Sequence, residues 1–234
     1  MLTILGVLAG VLVEPKISPD FGSYPSEALR RRQSAAALVE FVVDPEGQLV
    51  SCDLLAQLGE ESLSREVCKL QRQARFEPAK DEFGTPSYGI VRAFIKYVVV
   101  GSEEGQQIYA TVMPGITHEV IGTVVQSGSR PPDFSKFREE SGPPRFLAHP
   151  DIDLEVQALP ETSDEPFQVQ VTVAIGPEGG VTQCSESEVG ELSRYGTAAY
   201  QQLLGVKVGD SLIVDGEAVP FIRPYVVQFV VTDV

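Results

Sequence analysis

The chain has 234 residues, 43% hydrophobic and 22% charged, the composition of a folded protein long enough for one large or two small cores. Its formal net charge of −15 repels phosphate backbones and anionic headgroups, so nucleic acid is excluded as an expected partner. It has two histidines, three cysteines and no CxxC pair.

Leu2 to Val13 is almost wholly apolar. As a helix this stretch would span about 18 Å, short of the ~30 Å hydrocarbon core, so it is not a membrane span. Its length matches the apolar part of a secretory signal, although a basic leader and a small-x-small cleavage site are missing. A folded N-terminal strand and a start codon placed too far downstream are the other readings. An export signal over residues 1–13 is the expectation taken forward.

Glu14 to Ser23 is a Pro- and Gly-punctuated lead-in, and Tyr24 to Arg32 reads as a short helix with Pro25 at an early position. Arg30-Arg31-Arg32 is the one basic run and reads as a solvated helix end. Leu38 to Val43 is a β-branched, aromatic run and predicts a strand. Asp44-Pro45-Glu46-Gly47 supplies a type I turn, and Gln48 to Leu54 returns as the second strand of a hairpin. Glu60-Glu61-Ser62 holds an N-cap candidate, after which Leu63, Val67, Leu70 and Ala74 recur at helical spacing. Lys69, Arg72 and Arg75 lie towards the helix C-terminus, where cations suit the dipole. Gly89 to Val100 is a long closing strand.

This succession resembles the C-terminal domain of the TonB family, which energises outer-membrane transport in Gram-negative bacteria. The resemblance rests on Tyr24-Pro25 followed by Ala28-Leu29, and on Arg75-Phe76-Glu77-Pro78-Ala79 after the helix. Ser34 to Ala37 departs from it, since the family usually has an acidic residue and a glycine before the first strand. Cys52 on the second strand and Cys68 on the helix resemble a cysteine-bearing branch of the family. From the residues alone they are either a bridge between a strand and its packed helix or two buried free thiols; the resemblance implies the bridge. The implied fold is α+β, a small antiparallel sheet with helices packed on one face.

From Gly101 to Pro150 the pattern loosens into a linker, with Ile108–Met113 and Glu119–Val125 as candidate short strands. Asp151, Asp153 and Glu155 superficially suggest a calcium loop, but Val156 and Thr162 stand where an EF-hand needs Gly and Glu. Their alternation with Ile152, Leu154 and Val156 describes a strand instead. Phe167 to Ile175 alternates likewise. Pro177-Glu178-Gly179 then repeats Pro45-Glu46-Gly47, and Cys184 repeats Cys52 at the same offset. Gly216 mirrors Gly84 at that offset, and Arg223 mirrors Arg92 one position short of it. Residues 151–234 therefore read as a second, diverged copy of the module at 14–100. Pro220 and Pro224 in its closing strand argue for an edge position or a bulge.

Nothing marks an enzyme. His118 and His149 have no nucleophile or metal-ligand spacing beside them, and no phosphate or dinucleotide loop occurs. No cofactor, metal or small-molecule substrate is expected. What a small sheet offers is an unpaired edge, to which an extended peptide adds as a further strand. The resemblance places that edge on the closing strand, with Gly89 at its start. Ile90, Arg92, Phe94 and Lys96 lie on one face of it, and Val91, Ala93, Ile95 and Tyr97 on the other. The implied partner is a TonB-dependent outer-membrane receptor, through its N-terminal TonB box, or another envelope protein; pairing of two copies through strand edges is a further expectation. The implied place is the periplasm of a Gram-negative bacterium. The alternative is a soluble envelope scaffold or assembly protein that transduces nothing.

Overall fold

The computed structural model describes residues 11–17, 24–111, 118–124, 150–158, 167–186, 193–208 and 211–231; the expectations placed on 1–10 and 125–149, His149 included, lie outside them. The chain begins with β1 (Lys16–Ile17), α1 (Ser26–Arg31), β2 (Ala35–Val43), β3 (Leu49–Gly59) and α2 (Glu61–Leu70). Next come β4 (Phe76–Glu77), β5 (Ala79–Lys80), β6 (Pro86–Val99), α3 (Glu103–Ala110), β7 (His118–Val124) and β8 (Ile152–Val156). The last part holds β9 (Gln168–Ile175), β10 (Val181–Glu186), α4 (Ser193–Leu203), β11 (Leu212–Val214), β12 (Glu217–Val219) and β13 (Phe221–Val231).

The β2–β3 hairpin forms as its sequence dictates. The Asp44 carboxylate accepts the backbone N–H groups of Glu46 at 3.0 Å and Gln48 at 2.7 Å, closing the turn from inside. Gly47 completes it at φ +77°, and a Cβ there would lie 2.3 Å from the Phe76 carbonyl oxygen. Only glycine fits, because the Phe76 N–H bonds the Gly47 carbonyl at 3.2 Å and draws the Arg75–Ala79 element onto the turn. Phe76 then packs on Phe41 with ring centroids 5.3 Å apart. Glu60 caps α2 by accepting the Ser62 N–H, and Leu63 and Val67 point into the sheet. The small residues Ser34 to Ala37 are buried, with the Ser34 hydroxyl accepting the Val99 N–H at 3.0 Å.

A single nine-stranded sheet carries both halves, in the order β10-β9-β13-β6-β2-β3, with β5 and β7 added to β6 and β8 added to β13. Residues 168–231 run hairpin, helix and long strand, the same order as 35–99. The two halves meet at β6 and β13, which pair in parallel only at Tyr88–Gly89 with Phe221–Ile222 and then fork. Opposite helices cover opposite faces of this sheet. Leu63 and Val67 of α2 share a core with Val39, Phe41, Val91 and Ile95. Tyr195, Ala199 and Leu203 of α4 share one with Val171 of β9, Tyr225 of β13, and Val42 and Ile90, which lie on the other face of β2 and β6.

Three expectations change. The stretch Ile108–Met113, read as a strand, begins inside α3, whose start is set by Ser102 accepting the Gly105 N–H at 3.0 Å and by Glu103 and Glu104 in the first turn. The closing strand β13 is not an edge despite Pro224, since β9 lines its whole first part. Backbone N–H groups two apart point the same way, and the Val226 N–H points to Asp151 across the fork. The nitrogen of Pro224 therefore faces the fork, where no ladder partner needs a donor. Finally, Val11–Val13 belongs to the fold. Leu12 is buried with Ala79 and Ile222, and Val13 exchanges backbone hydrogen bonds with Lys80 at 3.0 and 2.9 Å. The end of the stretch read as an export signal behaves as the folded N-terminal strand named beside it.

Beyond Val13, Glu14 lies on the face of β9, accepting hydrogen bonds from Thr172 and from Gln170 at 3.2 Å. Burial, the larger influence, pushes its carboxyl above the ordinary value, against the pull of those two donors. Between the ordinary and the raised value the native state binds more protons than the unfolded chain, so stability falls as pH rises through that window. Glu14→Gln should remove this slope and leave the protein more stable at neutral pH, as urea midpoints at mildly acidic and neutral pH would register.

Cys52 and Cys68 are bridged, with Cα atoms 5.5 Å apart, tying β3 to α2, while Cys184 keeps its thiol and is buried. Thiol titration of the unfolded protein should count one free thiol before reduction and three after. Cys52→Ser with Cys68→Ser should lower unfolding stability by about 3 kcal/mol in the chain-entropy account of a loop this size.

Candidate recognition edge

The closing strand of the first module, β6, is where the sequence places recognition. Its side chains divide as the alternation predicts. Val91, Ala93, Ile95 and Tyr97 enter the core under α2. Ile90 joins the core of the second half, and Phe94 meets Ile108 of α3. Both faces are thus covered.

The flanking motif residues act structurally. Tyr24 lies edge-on to Tyr97 at 5.4 Å and donates its hydroxyl hydrogen to the Gln33 carbonyl. Burial, the chief cause, pushes its pKa up to about 12. Pro25 opens α1, its carbonyl accepting the Leu29 N–H at 2.9 Å. Arg75 is exposed, Phe76 is buried on Phe41, and the Pro78 ring lies against Gly47.

The edge over Gly89 to Tyr97 is paired by other segments of the chain along much of its length. On its inner side, residues 89–97 pair antiparallel with β2 from Val43 to Ala35. On the outer side three pieces of the same chain are in place: β5 against Pro86–Ser87, β13 against Tyr88–Gly89, and β7 in parallel from Ala93 to Val99. Gly89 has no room for a side chain, since a Cβ would lie 2.5 Å from Pro15 and 2.6 Å from Ala79. Strand neighbours of this kind depend on distant segments, and no local signal in β6 announces them.

At the fork between β6 and β13 the polar groups form one largely buried cluster. The Arg92 guanidinium clamps Asp151 with two hydrogen bonds of 2.7 and 2.8 Å and gives a third to Glu40 at 2.9 Å. Arg223 reaches Glu40 at 3.3 Å and Asp151 at 3.5 Å, and lies over the Tyr225 ring. The Asp151 carboxylate also accepts the Val226 N–H at 2.8 Å. Burial by itself works against the charge on Arg92; hydrogen bonds and attraction from Asp151 and Glu40 outweigh it and hold its pKa above the ordinary value. Sequence reasoning paired Arg92 with Arg223 but missed the two carboxylates that bring them together.

Lys96 is the second polar anchor of the strand. Its ammonium, fully enclosed, donates to the carbonyls of Tyr109 and Thr111 at the end of α3 and to Glu119 of β7 at 2.8 Å. The Phe94 ring lies 5.2 Å from it.

Among the described residues β3 pairs with β2 alone, so its outer row of backbone groups is open. Two bulges interrupt it, at Val50 and Leu55, whose exposed side chains fall between ladder partners. Breaks of this kind blunt an edge against unintended pairing. No group of three or more His, Cys, Asp or Glu able to hold a metal occurs among the described residues, and none of their helices is long and apolar enough to cross a membrane.

Residues 22–99, from the lead into α1 to the end of β6, match the family model described as Gram-negative bacterial TonB protein C-terminal. No curated protein matches the chain significantly.

The fork cluster holds two cations against two carboxylates, so removing one leaves an uncompensated buried charge. Asp151→Asn should cost about 3 kcal/mol of unfolding stability, read from urea denaturation. Adding Glu40→Gln should cost less than its separate effect, since both carboxylates serve the same guanidinium groups.

Proposed function

With residues 22–99 a domain of the TonB C-terminal family, a periplasmic interaction domain of Gram-negative bacteria, we propose that this protein recognises an extended segment of an envelope partner by adding it as a strand to β6. TonB-dependent outer-membrane receptors are the leading partner class, with coupling to transport as the role. One observation carries the reading: from Ala93 to Val99 the outer side of β6 already holds a parallel strand, so its backbone is shaped to accept one. Residues 151–234 are read as a second, diverged module. Its support is the shared order of hairpin, helix and strand, and the convergence of Arg92 and Arg223 on Asp151.

A second reading has its own observation. The join at Tyr88–Gly89 and the fork cluster consume part of the same edge to fuse the two halves. A protein built this way works as an envelope scaffold that presents a rigid sheet without engaging receptors. Pairing of two copies then has β3 as the open edge among the described residues.

The two readings separate in a titration of the labelled full chain with TonB-box peptides from outer-membrane receptors, followed by amide resonances. Recognition through β6 predicts shifts concentrated at residues 93–99. Silence there at millimolar peptide removes receptor binding and leaves the scaffold.

A further inference from the structure

Strand register decides which turns share an end of the sheet. β6 and β13 start side by side in parallel, Tyr88 opposite Phe221 and Gly89 opposite Ile222. What precedes each of them therefore springs from the same end: the turn at 81–85 in the first half and the β11–β12 hairpin in the second. Their neighbours bring two more turns there. Val43 lies opposite Gly89, which places the turn 44–47 at this end, and Ile175 lies opposite Phe221, which places 176–180 beside it. The chain just after α4 joins them, since the Gly205 N–H donates to the Val181 carbonyl at 3.0 Å and the Val181 N–H to the Val206 carbonyl at 2.9 Å.

Large apolar side chains stand exposed on these segments. Phe83, at 75%, is the most exposed of the large hydrophobics among the described residues, and Ile213 follows at 58%, with Val50, Leu204 and Val206 also in water. Scattered singly, such residues need no explanation. These five come from four separate segments and from both halves, and they gather at one end.

The tips that carry them are stiff. The Asp81 carboxylate accepts the N–H groups of Phe83 at 2.9 Å and Thr85 at 2.8 Å, and the Asp81 carbonyl accepts the Gly84 N–H at 2.9 Å. Glu82 accepts a hydrogen bond from Gln183 of β10 at 3.1 Å, which ties the tip of the first half to the second. Asp215 and Gly216 take φ of 52° and 84°, the two-residue turn that matches the twist of the hairpin it closes. A ring held out on a preformed turn gives up little freedom when a partner covers it.

Charge decides what can cover this end. Residues 44–50, 75–85, 176–181, 204–208 and 211–219 carry eight carboxylates against three cations, Arg75, Lys80 and Lys207. A second copy of the chain brings the same excess and is repelled, and so are anionic headgroups. A surface of the opposite sign is drawn in and oriented.

We propose that this end of the sheet is a docking surface for a protein whose contact patch is apolar and ringed by lysine or arginine, with Phe83 and Ile213 as the anchors. It is distinct from strand addition, since residues 93–99 lie further along β6, and it stands whether or not that edge takes a peptide.

The probe is a synthetic peptide of alternating leucine and lysine, titrated into labelled full-length protein. Two peptides of equal length serve as controls, one of leucine with glutamate and one of serine with lysine. The leucine–lysine peptide should shift amides at 81–85 and 211–219, and neither control should. Phe83→Ser with Ile213→Ser should weaken its binding about tenfold, as loss of anchor side chains does. The urea midpoint should not move, because both side chains stand in water. Glu178→Lys with Glu217→Lys, which keeps the anchors and reverses charge around them, should weaken the same peptide by a similar factor. No binding to the native chain at millimolar peptide overturns the proposal. So does equal affinity for the native and anchor-variant chains, or equal binding of the serine–lysine peptide, which reduces the attraction to net charge. Flotation of the native chain with phosphatidylcholine vesicles, lost in the anchor variant, assigns these tips to a membrane and overturns a protein partner.

Discussion

The structure turns on the outer backbone row of β6. A strand whose two faces are both buried cannot leave its peptide groups unpaired, because an unmatched buried N–H or carbonyl costs as much as a lost hydrogen bond. β2 satisfies the inner row from Gly89 to Tyr97. The outer row is met piecemeal by β5, β13 and β7, segments separated widely along the chain. From that one demand follow the continuous sheet, the placement of the helices on opposite faces, and the fork where β6 and β13 part.

At the fork the chain substitutes side chains for a ladder. Asp151 accepts the Val226 N–H, and its own N–H is taken by the Val226 carbonyl at 2.8 Å, so one residue serves as a single rung. The Arg92 guanidinium fills the remaining space with a rigid planar donor matched to a carboxylate, a role in which lysine could not replace it. Pro224 is tolerated in the same place because no rung is needed there.

Much of the first module could be read in the sequence because its signals are local. The turn at Asp44–Gly47, the cap at Glu60 and the helical spacing of Leu63 and Val67 each act within a few residues. The repeat of Pro-Glu-Gly and the matched arginines are local signals of the same kind, and they are what suggested a second unit. What the sequence did not reveal is that other segments of the chain pair along the outer side of β6. A cue was present: from Gly89 to Val100 apolar residues run nearly without interruption, broken only by Arg92 and Lys96, the pattern of a strand buried on both faces. Those two exceptions are the residues that bind the fork and β7. Ile108 misled in a different way, since a short apolar run looks alike in strand and helix, and the capping of Ser102 decided the matter.

The direction of β7 has a mechanical meaning. Because it runs parallel to β6, its hydrogen bonds lie side by side across the whole overlap from Ala93 to Val99. Tension applied along such a strand, with β6 held from its opposite end, loads those bonds together in shear. Peeling, in which each bond breaks before the next is stressed, needs a force across the sheet instead. A strand seated as β7 is seated resists being dragged lengthwise yet can be unzipped from one end, a grip that holds under load and lets go when the load turns aside.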